Sequence, residues 1–274
     1  MKHLSLFTGG GGGELGAILN NWETIGYVEW NDYCQRIIRA RIEDGILPNA
    51  PIFGDIKTFI SEGYAESYKG MVDVISGGFP CQPFSTAGQR IGEDDPRNMW
   101  GQTIKCVNII KPRYCFFENV RGLLSSGTDC DDTEWSMGET PADFISYFGT
   151  ILSDLSDSGY DARWKVISAA EVGAPHKRDR VWIVANPKQG SSSMHYGTLG
   201  GTQTKIPKRG EQLSARTKTR DSTWWLSQPS ICRVDDGVAY KLDRTEAIGN
   251  GQVPAVVKAA WEILSFSLQG KSDK

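Results

Sequence analysis

A cysteine held between two prolines, in Phe79-Pro80-Cys81-Gln82-Pro83, is the feature of this chain that most plainly asks for a chemical role. Proline fixes φ, so the thiol rides on a stiffened loop. The apolar run Val72 to Ser76 before it reads as a strand, which places Cys81 beyond that strand's carboxyl end. Open α/β sheets keep their active sites there. A thiolate in such a place is a nucleophile for covalent catalysis. The other five cysteines, Cys34, Cys106, Cys115, Cys130 and Cys232, read as small buried apolar residues. No CxxC spacing occurs, which argues against a zinc site and a disulfide framework and fits a reducing cytoplasm.

A second feature lies near the N-terminus. His3 to Phe7 leads into Thr8 and then Gly9 to Gly13, with Gly16 one helical turn further on. Missing side chains let backbone approach a flat ligand and let the next helix present free N–H groups. Glu29 ends the following strand 20 residues after Gly9. Nucleotide-binding sheets keep an acid at that place for ribose hydroxyls. Gly54-Asp55-Ile56 adds a carboxylate and an apolar face suited to an adenine amine and ring, and Trp30 offers a stacking face. The set reads as an adenosine site, although a tight turn or a nicotinamide dinucleotide site shares the glycine run.

These groups need a sheet to position them. Short β-rich runs, His3 to Phe7, Thr24 to Glu29, Pro51 to Phe53, Val72 to Ser76 and Arg113 to Glu118, alternate with helical patterns such as Asn31 to Ile42 and Thr58 to Tyr68. That alternation predicts βαβ units and a parallel sheet. Tyr160 to Ser168 and Arg180 to Ala185 lie close in sequence and predict an antiparallel hairpin at one edge, making the sheet mixed. The last helix starts at Pro254 with Val256, Ala260 and Ile263 as its buried stripe, and the tail frays from Gly270.

With 274 residues, 39% hydrophobic, the chain can bury one medium core with a small appendage. The N-terminus lacks the pattern of a signal peptide, and no run reaches membrane-span length. Net charge is −3, yet residues 186–220 carry seven Lys or Arg against one acid, Glu211, while residues 128–140 carry five acids and no base. Phosphate contact follows the local field, so the basic segment suits nucleic acid; a solvated linker has the same composition.

The motifs, in their order, resemble those of cytosine-5 DNA methyltransferases. Pro80-Cys81-Gln82 is similar to that family's nucleophile loop, Phe117-Glu118-Asn119-Val120 to its Glu-Asn-Val strand end, and Phe7 to Gly16 to its cofactor loop. Gly173 to Arg180 is similar to its arginine motif, and Arg244 to Pro254 to its final motif, which folds back beside the first. Ser5 stands where the family usually has an acid, and His176 where it has glutamine. Trp224 to Val238 lacks the usual arginine-leucine pattern.

The resemblance implies a Rossmann-like class I methyltransferase fold over residues 1–185 and 244–274, with a small target-recognition region at 186–243. It implies a monomeric, metal-free, cytoplasmic enzyme that acts on duplex DNA with S-adenosylmethionine, in restriction-modification, in epigenetic marking or on a phage genome. Cys81 would add to carbon 6 of a flipped cytosine, Glu118 would bind ring nitrogen 3 and the amine, and Arg178 and Arg180 would orient that carboxyl. Asn119 is expected to brace the Pro80 loop. Phe7, Thr8, Gly9, Gly11, Gly12, Glu29, Trp30, Asp55, Ile56, Pro80, Trp100 and Asn250 would hold the cofactor. Gln82, Ser85, Gln89, Arg90 and Arg97 in the loop after the nucleophile, with Lys205, Lys208 and Arg209, would contact DNA. Other readings are an RNA (tRNA) cytosine-5 methyltransferase on the same scaffold, a catalytically silent nucleic-acid-binding homologue, and a nicotinamide-dependent enzyme that leaves Pro80-Cys81-Gln82 unexplained.

Overall fold

The computed structural model describes residues 1–80, 98–125, 147–188 and 251–269. Seven strands form one sheet: β1 (Lys2–Leu6), β2 (Glu23–Val28), β3 (Ile52–Phe53), β4 (Val74–Gly77), β5 (Tyr114–Val120), β6 (Tyr160–Ser168) and β7 (Asp179–Pro187), in the order β3-β2-β1-β4-β5-β7-β6. β1 to β5 pair in parallel; β7 is antiparallel to β5 and to β6. The expected edge hairpin is present, with its second strand inserted between the first and the parallel block. The point where the order reverses lies between β1 and β4, so the loops after these strands open onto one crevice.

Parallel sheets are buried on both faces, and side-chain alternation divides this one cleanly. Ile75, Cys115, Phe117, Val181 and Ile183 face a core made with α3 (Ile56–Ser61), α4 (Tyr64–Ser67), α5 (Trp100–Ile110) and α6 (Tyr147–Asp157). Val74, Phe116, Trp182 and Val184 face the other core, made with α1 (Gly12–Leu19) and α7 (Pro254–Gln269). On that second face His3, wholly buried, pairs through Nδ1 with Thr24 Oγ1 at 2.9 Å and through Nε2 with Ser76 Oγ at 2.6 Å. Thr24 in turn donates to Glu14 at 2.7 Å. The network satisfies polar groups that would otherwise be costly to bury.

Three expectations change. The pattern Thr58 to Tyr68 forms two short helices, because Gly63 takes φ +77° and begins a new turn. Ile263 is 38% exposed; Val257 and Leu264 join Val256 and Ala260 as the buried stripe of α7, since the contact with α1 is centred slightly round the helix. Finally, β7 runs past Ala185: Asn186 and Pro187 pair with Asp161 and Tyr160. Lys188, counted in the basic segment, donates from Nζ to the Ser156 carbonyl at 2.8 Å, so this end belongs to the sheet. Among the described residues, no helix is long and apolar enough to cross a membrane. α2 (Asp32–Glu43) completes the helices, capped by Asn31 Oδ1, which accepts from Tyr33 and Cys34 N–H at 2.9 and 3.1 Å.

Candidate active site

The carboxyl ends of β1 and β2 meet through one carboxylate. Glu29 Oε2 accepts the N–H of Gly9 at 2.6 Å, and Oε1 accepts that of Asn31 at 2.8 Å. Gly9 and Gly11 take φ of +58° and +88°, which glycine allows without strain, and Phe7 takes +54°, which is uncommon for a bulky side chain; together they turn the chain from β1 into α1. Burial pushes the Glu29 carboxyl up, while the N–H groups of Asn31, Gly9 and Trp30 act against that rise. Beside it Trp30 is 78% exposed, a large bare ring at the sheet edge. Buried carboxylate and exposed indole fit the ribose and base of an adenosine, since an ionised carboxylate has about four acceptor positions and backbone does not fill them all.

Ser5, buried on β1, accepts from Thr8 Oγ1 at 3.0 Å. At this departure from the family pattern the hydroxyl pair braces the start of the glycine loop. Asp55 is exposed and caps α3 by accepting from Lys57 N–H at 3.0 Å. Ile56 and Trp100 are both buried. Ile56 is in the core, and the Trp100 ring is buried against Phe79 and Phe117 with its N–H on Asp154 at 2.7 Å. His176 is exposed on the segment before β7.

The ends of β4 and β5 are joined as expected from the sequence: Asn119 Nδ2 donates to the Phe79 carbonyl at 3.1 Å, ahead of the exposed Pro80. One residue earlier on β5, Glu118 faces the opposite side of the sheet. It is 7% exposed, and Arg180 Nε lies 2.9 Å from its Oε1. Burial raises the affinity of this carboxyl for its proton; Arg180, Arg178 and a hydrogen bond from Gln252 oppose the rise. The two arginines do not share one task. Arg178 donates through Nη2 to the Gly251 carbonyl at 2.7 Å, tying down the segment that enters α7.

The glycine loop serves packing as well as a ligand. A side chain on Gly12 would collide with the Gln252 backbone, and one on Gly13 would lie 2.7 Å from Gln252 Oε1. Gly16 faces Val257 on α7 just as closely. Gln252 was not among the residues expected at the site; the signal for it was its place in Ala247 to Pro254, directly after Asn250-Gly251. Cys81, Gln82, Ser85, Gln89, Arg90, Arg97, Lys205, Lys208, Arg209 and Asn250 lie outside the described residues, as do residues 189–243 of the region expected to recognise the target and the tail from Gly270.

The Type II methyltransferase M.NgoMIV of Neisseria gonorrhoeae is 30% identical over 182 residues, which cover 66% of this chain and 50% of that protein. M.AquIA of Picosynechococcus sp. is 31% identical over 191 residues, covering 68% of this chain and 71% of that protein. The chain thus spans about half the length of M.NgoMIV and more of M.AquIA. Among solved structures, a putative DNA modification methyltransferase encoded within an E. coli prophage is similar at 23% identity and TM-score 0.47, over 68% of this chain and 47% of that one. The profile of the C-5 cytosine-specific DNA methylases matches residues 1–231, and the chain belongs to that family.

Proposed function

We propose that the protein transfers a methyl group from S-adenosylmethionine to carbon 5 of a cytosine flipped out of duplex DNA, with Cys81 as covalent nucleophile. The observation that carries this reading is the carboxyl of Glu118, buried at the end of β5 and gripped by Arg180, one residue from the Asn119 tether to the chain entering Pro80 and Cys81. Family membership supports the same chemistry. Glu29 and Trp30, with the backbone at Gly9, Gly11 and Gly12, would hold the methyl donor, together with Asn250. When bound, that donor supplies an electrophilic methyl group on a sulfonium.

Carbon 5 of cytosine is too weak a nucleophile to take that methyl unaided. The Cys81 thiolate adds to carbon 6, forming a carbon–sulfur bond and moving the 5,6 π-electrons toward carbon 5, a hard step divided into easier ones. Glu118 holds ring nitrogen 3 and the exocyclic amine, sharing a proton as charge shifts onto the ring, which is why a carboxyl biased toward its neutral form is useful. Arg180 fixes its orientation. Carbon 5 would take the methyl as the methyl–sulfonium bond breaks and a neutral thioether leaves; a base then removes the carbon 5 proton, and those electrons restore the double bond and expel the sulfur of Cys81.

A stacked base hides carbon 6, so flipping must come first, at a cost of a few kcal/mol. Gln82, Ser85, Gln89, Arg90 and Arg97 follow the nucleophile and would fill or rim the gap. The basic stretch with Lys205, Lys208 and Arg209 would contact phosphates. Labelled methyl transfer to duplex DNA and, in parallel, to transfer RNA tests the reading, with Cys81→Ser as control. Label on DNA cytosine that Cys81→Ser abolishes is the expected result. Label on RNA alone would move the substrate class, and undiminished transfer by Cys81→Ser would remove the covalent mechanism.

A further inference from the structure

One residue links the start of α1, the chain after β4 and the end of β5. Gln252 sits just before α7, its carbonyl where a Gly12 side chain would be and its Oε1 against Gly13. The vacant Cβ position of Gly78, after β4, is 3.2 Å from Gln252 Nε2 and 2.9 Å from Glu118 Oε2, and the Gln252 amide hydrogen-bonds the Glu118 carboxyl. Gly12, Gly13 and Gly78 therefore leave space that this one residue occupies. Its path is held from both sides: the Gly251 carbonyl by Arg178 at 2.7 Å, and the Val253 carbonyl by the N–H groups of Val256 and Val257 at 2.9 and 3.1 Å.

Glu118 is thus gripped from two directions. Arg180 holds Oε1 at 2.9 Å, and the Gln252 amide, which lines the same vacant Gly78 position as Oε2, hydrogen-bonds the carboxyl as well. Two donors arriving from different residues restrict the rotation of a carboxyl that a single donor leaves freer. The donor chemistry also matters. A second cation at this place would bind the carboxyl in its ionised state, as Arg180 and Arg178 already tend to do, whereas a neutral amide orients it with a weaker bias. Among the described residues, Arg180 and Arg178 are the charged groups that act on Glu118.

We infer that Gln252 is a positioning residue for methyl transfer: its amide sets the plane of the Glu118 carboxyl and couples that plane to the glycine loop that would carry the methyl donor. The inference rests on the function proposed above. It makes the C-terminal segment part of the catalytic geometry in addition to the cofactor site.

Gln252→Met keeps the length and removes the donor; Gln252→Glu keeps the shape and adds a carboxyl. Steady-state methylation of duplex DNA should show kcat down about 10- to 100-fold in Gln252→Met, the range expected for a lost hydrogen bond to a charged group, with KM for S-adenosylmethionine within about twofold. The limb of the pH profile governed by Glu118 should move to higher pH, and further in Gln252→Glu. A structural role alone would change stability or KM and leave that limb in place. Equal kcat and an unmoved limb overturn the inference. Titration of the Glu118 side-chain carbon by 13C NMR, assigned with Glu118→Gln, gives a reading without turnover. A midpoint raised in Gln252→Met supports the coupling even when no methyl transfer to DNA is found, and an unchanged midpoint refutes it; the proposed function stands or falls separately on the wild-type methylation assay.

Discussion

Arg180 Nε lies 2.9 Å from Glu118 Oε1 across the antiparallel pair β5 and β7. The register sets this contact. Val120 is opposite Arg180 and Glu118 is opposite Trp182, so the two charged residues are diagonal neighbours on one face. Arg180→Lys keeps the charge but removes the planar guanidinium. We expect kcat to fall about 10-fold or more, with S-adenosylmethionine affinity unchanged, because the carboxyl loses its oriented partner and retains its site. Wild-type kcat in this variant would show that Arg180 acts only as a charge.

Asn119 is 3% exposed, and its amide is what ties β5 to the Phe79 carbonyl. Asn119→Ala leaves that carbonyl without its donor in a buried setting and should cost about 1–3 kcal/mol in a denaturant titration. Methylation at saturating substrate should fall as well, since Pro80 and Cys81 follow Phe79 directly. A variant as stable and as active as wild type would mean the tether is redundant.

Two glycines predict opposite outcomes for the same substitution. At Gly16 an added methyl meets the Cβ and Cγ1 of Val257, forcing α1 and α7 apart; Gly16→Ala should destabilise by about 1–3 kcal/mol. At Gly101 in α5 nothing lies within 4 Å of the added carbon, so Gly101→Ala should stabilise by about 0.5–1 kcal/mol. Denaturation midpoints measured side by side check both; a shift of the same sign in each would contradict the packing described for α1 and α7.

Burial raises the proton affinity of Glu118, and also of Glu29, above the ordinary value of 4.5. The folded protein therefore binds more protons than the unfolded chain between that value and the folded ones, and the contribution of these groups to stability falls as pH rises through that window. This is the reverse of the usual salt-bridged carboxylate. Glu118→Gln removes one share of the slope. Its stability should decline less than that of wild type as pH rises above the ordinary carboxylate range, by chemical denaturation at each pH. Parallel curves would argue that Glu118 is ionised throughout.

Much of the scaffold was legible because it depends on local pattern. Runs such as Val72 to Ser76 and Arg113 to Glu118 are apolar and bounded by turn residues, and the structure has β4 and β5 there with ends moved by one or two residues. The breaks appear where a single backbone angle decides, as at Gly63, or where helix rotation decides, as with Ile263 against Leu264. The roles of Asn119 and Arg180 could be read from motif order. The separate duty of Arg178 could not, because its partner is a backbone carbonyl 73 residues away.

The order of motifs by itself determined the family, the α/β class and the pairing of Cys81 with Glu118 as the residues to watch, since side-chain chemistry and strand periodicity are written residue by residue. Only the tertiary structure decided that Gly12, Gly13, Gly16 and Gly78 are small to admit Gln252 and α7 as well as any ligand. It alone decided that Glu118 is held from two sides. Close approach between β1, β4, β5 and the C-terminal segment is a property of packed backbone, and a glycine records that something must come near without recording what.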